Sequence, residues 1–176
     1  MKKTIYLVRH CKATGQAPDA ELTEEGRRQA SALTDFFKEI EVSHVVSSPF
    51  TRAIQSIEPL AESRSLPVQI DDRLAERVLS TEELPDWMEK LEQSFNDPNL
   101  TFEGGESARE AADRGAEAMA EASDHTILVT HGNMMGLLLK KFEEAYGYEE
   151  WKALSNPDVY VLAIDGESTS VKRVWK

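Results

Sequence analysis

The sequence has 176 residues, 40% of them hydrophobic and 30% charged, and a formal net charge of −12 at pH 7. That length suits one domain with a real core, and the acidic balance excludes broad contact with nucleic acid, which needs basic surface to replace counterions. No apolar run approaches the roughly 18 residues of a membrane helix, and a single cysteine makes no internal disulfide.

The chain opens on Thr4-Ile5-Tyr6-Leu7-Val8, an apolar run shaped like a buried strand, which ends in Arg9-His10-Cys11. Open α/β sheets bind ligands at the carboxyl ends of their strands, so a guanidinium and an imidazole delivered there are candidate site groups. Lys2 and Lys3 ahead of this run hint at a signal peptide, but the run is too short and Arg9 and His10 interrupt it. The cytoplasm is the expected compartment. Lys12–Leu22 is polar, contains Gly15 and Pro18, and reads as a loop above the sheet edge. Thr23 caps a predicted helix with Glu24 and Glu25 in its first turn, where the dipole favours acidic groups. Ala30, Leu33, Phe37 and Ile40 form its core stripe. Gly26 costs that helix about 1 kcal/mol relative to Ala, and close backbone packing is the expected reason.

His44–Ser48 reads as a second strand, with Ser48 as cap and Pro49 as first position of a helix from about Phe50 to Glu62. Arg52 falls in its first turn. Val68–Ile70 is a short strand, and Asp72–Leu79 a loop that contains Glu76. Ser80-Thr81-Glu82-Glu83 has capping-box spacing, and Leu84, Trp87, Met88, Leu91 and Phe95 follow as a helical stripe, part of a lid or flank. After a loop over Asn96–Gly105, Ser107 and Glu110 form a second box, opening an Ala-rich helix to about Ala122. His125–His131 is another buried-strand pattern, followed by a helix striped by Met135, Leu138, Leu139 and Phe142. Val159–Ile164 and Ser168–Val174, joined around Asp165-Gly166, predict a closing hairpin. This β-α alternation over residues 1–176 predicts one three-layer α/β/α sandwich with a mostly parallel central sheet.

Two predicted strands thus end in histidine, at His10 and His131, and Arg52 opens a helix. An imidazole at a sheet edge can act as a nucleophile, and a guanidinium beside it can hold a phosphoryl group through paired hydrogen bonds. Helix amino termini attract anions, to which Arg52 adds a full charge. Each has a plainer alternative: Arg9-His10 as a surface pair, Arg52 as a solvated arginine, His131 as a core histidine bonded to backbone. Cys11 fails as a thiol nucleophile, since the arginine needed six positions on is Ala17. The four histidines, His10, His44, His125 and His131, lack paired metal-ligand spacing, so no metal is expected, and His44 and His125 read as structural.

Leu7-Val8-Arg9-His10, Leu22-Thr23-Glu24-x-Gly26-x-x-Gln29-Ala30, Ser47-Ser48-Pro49-x-x-Arg52-Ala53 and Val129-Thr130-His131-Gly132, in that order, resemble the histidine phosphatase superfamily, also called phosphoglycerate mutase-like. The resemblance covers nearly the whole chain. It implies that His10 is the phosphoryl-accepting nucleophile, that Arg9, Arg52 and His131 surround the phosphoryl group, and that Glu76 is the acid that protonates the leaving alkoxide. Gln16 stands where relatives often carry a phosphate-contacting Asn. The chain departs from the family at Cys11, where relatives usually have Gly, at Ala13, where they often have a small hydroxyl, and over Arg77–Glu83, which lacks their Gly- and Trp-containing run. The implied activity is hydrolysis of a small phosphorylated metabolite through phosphohistidine, without a cofactor. The alternatives are mutase-type phosphoryl transfer and an inactive phospho-ligand binding module.

Overall fold

The computed structural model describes residues 2–176. β1 (Lys2–Arg9), β2 (His44–Ser47), β3 (Val68–Ile70), β4 (Thr126–Thr130), β5 (Asp158–Asp165) and β6 (Ser168–Arg173) form one six-stranded sheet in the order β3-β2-β4-β1-β5-β6. The first four in that order are mutually parallel, and β5 and β6 complete the sheet antiparallel. Alternation along the strands explains why both faces are covered. Ile5, Leu7 and Leu128 point into one core, and Val8, Ile127 and Val129 into the other.

On the second of these faces, α1 (Glu24–Phe36) and α2 (Thr51–Ser63) pack Leu33, Ile57 and Leu60 against the strands. On the first lie α3 (Trp87–Asn96), α4 (Ala108–Glu121), α5 (Gly132–Phe142) and the short α6 (Tyr148–Lys152), with Met119, Met134 and Leu138 in the core. The result is a three-layer α/β/α arrangement around a mostly parallel sheet. Among the described residues no helix is long and apolar enough to cross a membrane.

Several helix starts obey the expected chemistry. Thr23 Oγ1 accepts from Gly26 N at 2.9 Å, and Ser107 and Glu110 exchange both bonds of their capping box at 3.0 and 2.9 Å. Two do not. α2 begins at Thr51 with Phe50 as its cap, and the Ser48 hydroxyl turns instead to His131. α3 begins only at Trp87 because the Ser80–Glu83 signature is spent on a turn: Ser80 Oγ donates to the Glu103 carbonyl and accepts from Glu82 N. Leu84 therefore lies outside the helix. Of the stripe expected there, Leu91 and Phe95 enter the core, while Trp87 and Met88 are exposed. The Asp72–Leu79 loop contains a 3-10 turn at Asp72–Leu74.

Gly26 has the reason its position suggested. The Lys12 carbonyl stands where a β-carbon would be, 2.1 Å from the ideal site, and the same carbonyl accepts from Thr23 N at 3.1 Å. A backbone group cannot give way cheaply, so Gly26→Ala is expected to destabilise the fold by about 1–3 kcal/mol, the usual cost of overpacking, despite its better helix propensity. Thermal or urea unfolding of the purified variant checks this, and an unchanged midpoint would be the contrary result.

Candidate active site

Sheet register alone brings three of the site residues together. β1 pairs with β4 in parallel so that Arg9 lies opposite Thr130, and β2 pairs with β4 so that Ser47 lies opposite Val129. The next residues along, His10, His131 and Ser48, therefore leave the sheet at one carboxyl edge. The ladder continues one step beyond the strands: His10 N donates to the Thr130 carbonyl at 3.1 Å and Ser48 N to the Val129 carbonyl at 3.0 Å. The rings of His10 and His131 end up 5.1 Å apart between centroids.

His10 is buried, and its Nδ1 lies 2.7 Å from the Cys11 carbonyl. A carbonyl only accepts, so Nδ1 carries the proton and Nε2 keeps its lone pair. Arg52 Nε donates to that Nε2 at 3.3 Å, a long bond at which the lone pair is only loosely held. Burial, and after it the nearby charges of Arg52 and Arg9, push the His10 pKa down to about 4 against the pull of the backbone bond. The imidazole is neutral at neutral pH. Asn156 Nδ2 donates to the His10 carbonyl at 3.0 Å, fixing the residue from the β5 side.

Arg52 is almost wholly buried in the first turn of α2, where its Nη1 donates to the carbonyls of Gln16 and Ala17 at 3.2 and 2.8 Å. One guanidinium thus pins the loop after β1 and faces His10. Arg9 Nη1 donates to the Leu154 carbonyl at 3.1 Å, and its buried Nε has no partner in the protein. Gly132 lies flush against this guanidinium: an added β-carbon would stand 2.8 Å from Arg9 Nη2. Burial lowers both arginine pKa values, yet from so high a starting point that both remain charged.

His131 is completely buried as the cap of α5, with Nε2 2.8 Å from Ser48 Oγ. Ser48 Oγ also accepts from Phe50 N at 3.2 Å, and with a second lone pair and its own hydrogen it pairs with Nε2 in either direction. His131 Nδ1 is buried and has no partner among the described residues. Burial, with the charges around it, holds the ring well below its ordinary pKa and therefore neutral.

Glu76 sits at the amino terminus of α5. Its Oε1 accepts from Met134 N at 2.8 Å and Arg77 N at 2.9 Å, and Oε2 accepts from Asn133 N at 3.0 Å. Burial is the largest influence on this carboxyl and raises its pKa, opposed by those three donors and by Arg9. Oε1 takes two bonds, so Oε2 is the oxygen with room for a proton. A cavity of about 520 Å³ is lined by Glu76, Arg9, Gln16 and Gly132. The Gln16 side chain is exposed at this cavity, whereas its carbonyl serves Arg52. Arg9, His10, Arg52 and His131 cluster into a cationic cup through these contacts, and of the four only Arg9 also lines the cavity, beside Glu76 and Gln16.

Residues near the site in sequence, and the two histidines read as structural, lie outside it. Cys11 points into the core beneath α1 and α2, its backbone N–H donating to Ser56 Oγ at 2.8 Å, so it does not narrow the cup. Thr14 is turned to the loop, its N–H donating to the Glu21 carbonyl at 2.9 Å. His44 and His125 stand at the opposite end of the strands, near Ser123 and Asp124. Sequence reasoning missed Ser48 as the partner of His131, Asn133 beside Glu76, and Asn156. The Ser48-Pro49 pair read as a cap, and only the strand register exposes its other use.

Residues 5–176 match the histidine phosphatase superfamily (branch 1). The probable phosphoglycerate mutase GpmB of Salmonella choleraesuis (strain SC-B67) is 27% identical over 157 residues, which cover 77% of this chain and 72% of that protein. The mycobacterial glucosyl-3-phosphoglycerate phosphatase in complex with inorganic phosphate superposes with a TM-score of 0.75 at 25% identity, covering 98% of this chain and 96% of its own. Bacillus stearothermophilus YhfR gives a TM-score of 0.76 at 24% identity over 97% of this chain and 95% of that one. With its match running from β1 to the last residue, this chain belongs to the histidine phosphatase superfamily.

Proposed function

We propose that the protein hydrolyses phosphomonoesters of small metabolites through a phosphohistidine at His10. The observation that carries this reading is the neutral His10 ring, its Nδ1 committed to the Cys11 carbonyl at 2.7 Å and its Nε2 turned towards Arg52 within the cationic cup. A neutral imidazole whose Nε2 lone pair is held only by the long bond from Arg52 is a nucleophile. Two guanidinium groups supply donors that a phosphoryl group needs.

The reaction has two steps. His10 Nε2 attacks phosphorus in line, the Nε2–P bond forms as the P–O bond to the alcohol breaks, and the proton on Glu76 goes to the departing alkoxide. Glu76, now a carboxylate, takes a proton from water as that water attacks the phosphohistidine. The Nε2–P bond breaks, inorganic phosphate leaves, and His10 and Glu76 return to their starting states. Placement and charge stabilisation carry most of the work, as expected for phosphoryl transfer. A mutase-type reading is supported by the names of the curated relatives, which are probable phosphoglycerate mutases. Incubation with 3-phosphoglycerate separates the two, because a hydrolase releases free phosphate and a mutase yields 2-phosphoglycerate.

His10→Ala is expected to abolish turnover of aryl phosphates and to remove the acid-labile, base-stable phosphoenzyme trapped with labelled substrate. Turnover that survives this substitution would refute the nucleophile, and a wild-type protein without any turnover would favour the binding module. Glu76→Gln should lower kcat/KM, which reports the phosphorylation step alone, by about 10²–10⁴ for alkyl phosphates and far less for aryl phosphates, since a phenolate leaves without a proton. Equal losses on both would remove Glu76 from the acid role.

The same groups set the pH profile. Catalysis needs His10 unprotonated, and its pKa is pushed down to about 4, so the acid limb should fall only as pH drops through that region. It also needs Glu76 protonated for alkyl esters, and that carboxyl is raised above its ordinary range. The rate on alkyl esters should therefore decline as pH rises through the raised pKa, while aryl esters keep their rate there. Identical alkaline limbs for both ester types would contradict the assignment.

A further inference from the structure

The 520 Å³ cavity continues outward from Glu76, and its outer half has a composition the phosphoryl chemistry does not require. Trp87, the first residue of α3, and Trp151, from α6, form one wall, with ring centroids 6.4 Å apart and planes at 90°. Trp151 is fixed in place: Phe95 and Tyr148 pack against it, and Gly136 presents bare backbone, where a β-carbon would come within 3.1 Å of the indole. Trp87, edge-to-face with Trp151, remains 46% exposed, so its indole is open to a ligand in the cavity.

Two exposed carboxylates stand beside that wall. Glu82 and Glu83 line the cavity, and neither meets a lysine or arginine among the described residues. Asn133 is only 7% exposed, lines the same cavity, and its Oδ1 has no hydrogen-bond partner. The two cations on the lining are committed elsewhere. Arg9 belongs to the phosphoryl cup, and Arg77 donates to Ser94 Oγ and the Glu106 carbonyl. A carboxylate or second phosphate beside Trp87 would meet Glu82 and Glu83, whereas the guanidinium donors of Arg77 are already engaged by Ser94 and Glu106. An apolar body ending in an ammonium would find aromatic faces, which attract cations, and negative charge beside them. The net charge of −12 adds a long-range field of the same sign.

We infer that the alcohol portion of the substrate is an apolar or aromatic frame carrying a cationic amine, received by Trp87, Trp151, Glu82 and Glu83. This rests on the hydrolase reading and adds to it the substrate class. The test uses three aryl phosphates with nearly equal leaving groups and different distal charge: tyramine O-phosphate (cationic), 4-propylphenyl phosphate (neutral) and the phosphate of 3-(4-hydroxyphenyl)propanoate (anionic). Expected kcat/KM falls in that order, by about 5–10-fold per step at low ionic strength. In the Glu82→Gln, Glu83→Gln double variant the ratio of cationic to neutral ester should collapse towards one. A wild-type enzyme that handles the anionic ester as well as the neutral one overturns the inference, as does a ratio that survives in the double variant. Equal turnover of all three esters, still lost in His10→Ala, overturns this inference alone. Turnover of none overturns it together with the hydrolase reading.

Discussion

The bond from His10 Nδ1 to the Cys11 carbonyl, 2.7 Å long, decides the chemistry open to the rest of the site. A buried imidazole without such an acceptor is free to carry its proton on either nitrogen, and half of the choices leave no nucleophile. Here a main-chain carbonyl, held by the turn that leaves the central strand, selects one tautomer without a second ionisable group. At His131 the partner is a serine hydroxyl, which donates and accepts alike and so imposes no such choice.

Burial is the main reason these rings stay neutral, and the guanidinium groups beside them act in the same direction by repelling further positive charge. The carboxyl of Glu76 is drawn close as well, its pKa raised by burial against three backbone donors and Arg9. The cup is therefore an anion site left incomplete by its own protein, while the exterior is strongly acidic. Arg52 shows how such a site is made rigid: carbonyls of Gln16 and Ala17 neutralise part of its hydrogen-bonding capacity without neutralising its charge.

How far the sequence discloses this varies with the range of the interaction concerned. Thr4–Val8 and Thr126–Thr130 are legible because a strand buried on both faces is an apolar run, and the residues just past its end must surface at an edge. Ser107 and Glu110 are legible because both bonds of the box close within one turn. Ser80–Glu83 carries the same letters, but its hydroxyl finds the Glu103 carbonyl more than twenty positions away, and nothing local reports that. α6 is a single short turn of five residues, too brief for periodicity to register. Trp87 fits a core stripe by spacing and faces a cavity by tertiary placement. Glu76 is visible only through resemblance, since its loop has no pattern and its meaning comes from the N–H groups of α5.

Cys11 adjoins the nucleophile in sequence, yet its side chain turns inward. The sulfur is fully buried beneath α1 and α2, and burial pushes its thiol up to about 11. The thiolate that peroxides and alkylating agents attack is thus both scarce and out of reach. The phosphoryl transfer proposed for His10 would in this way be uncoupled from oxidant tone, although the chain's one sulfhydryl lies a single peptide bond from that residue.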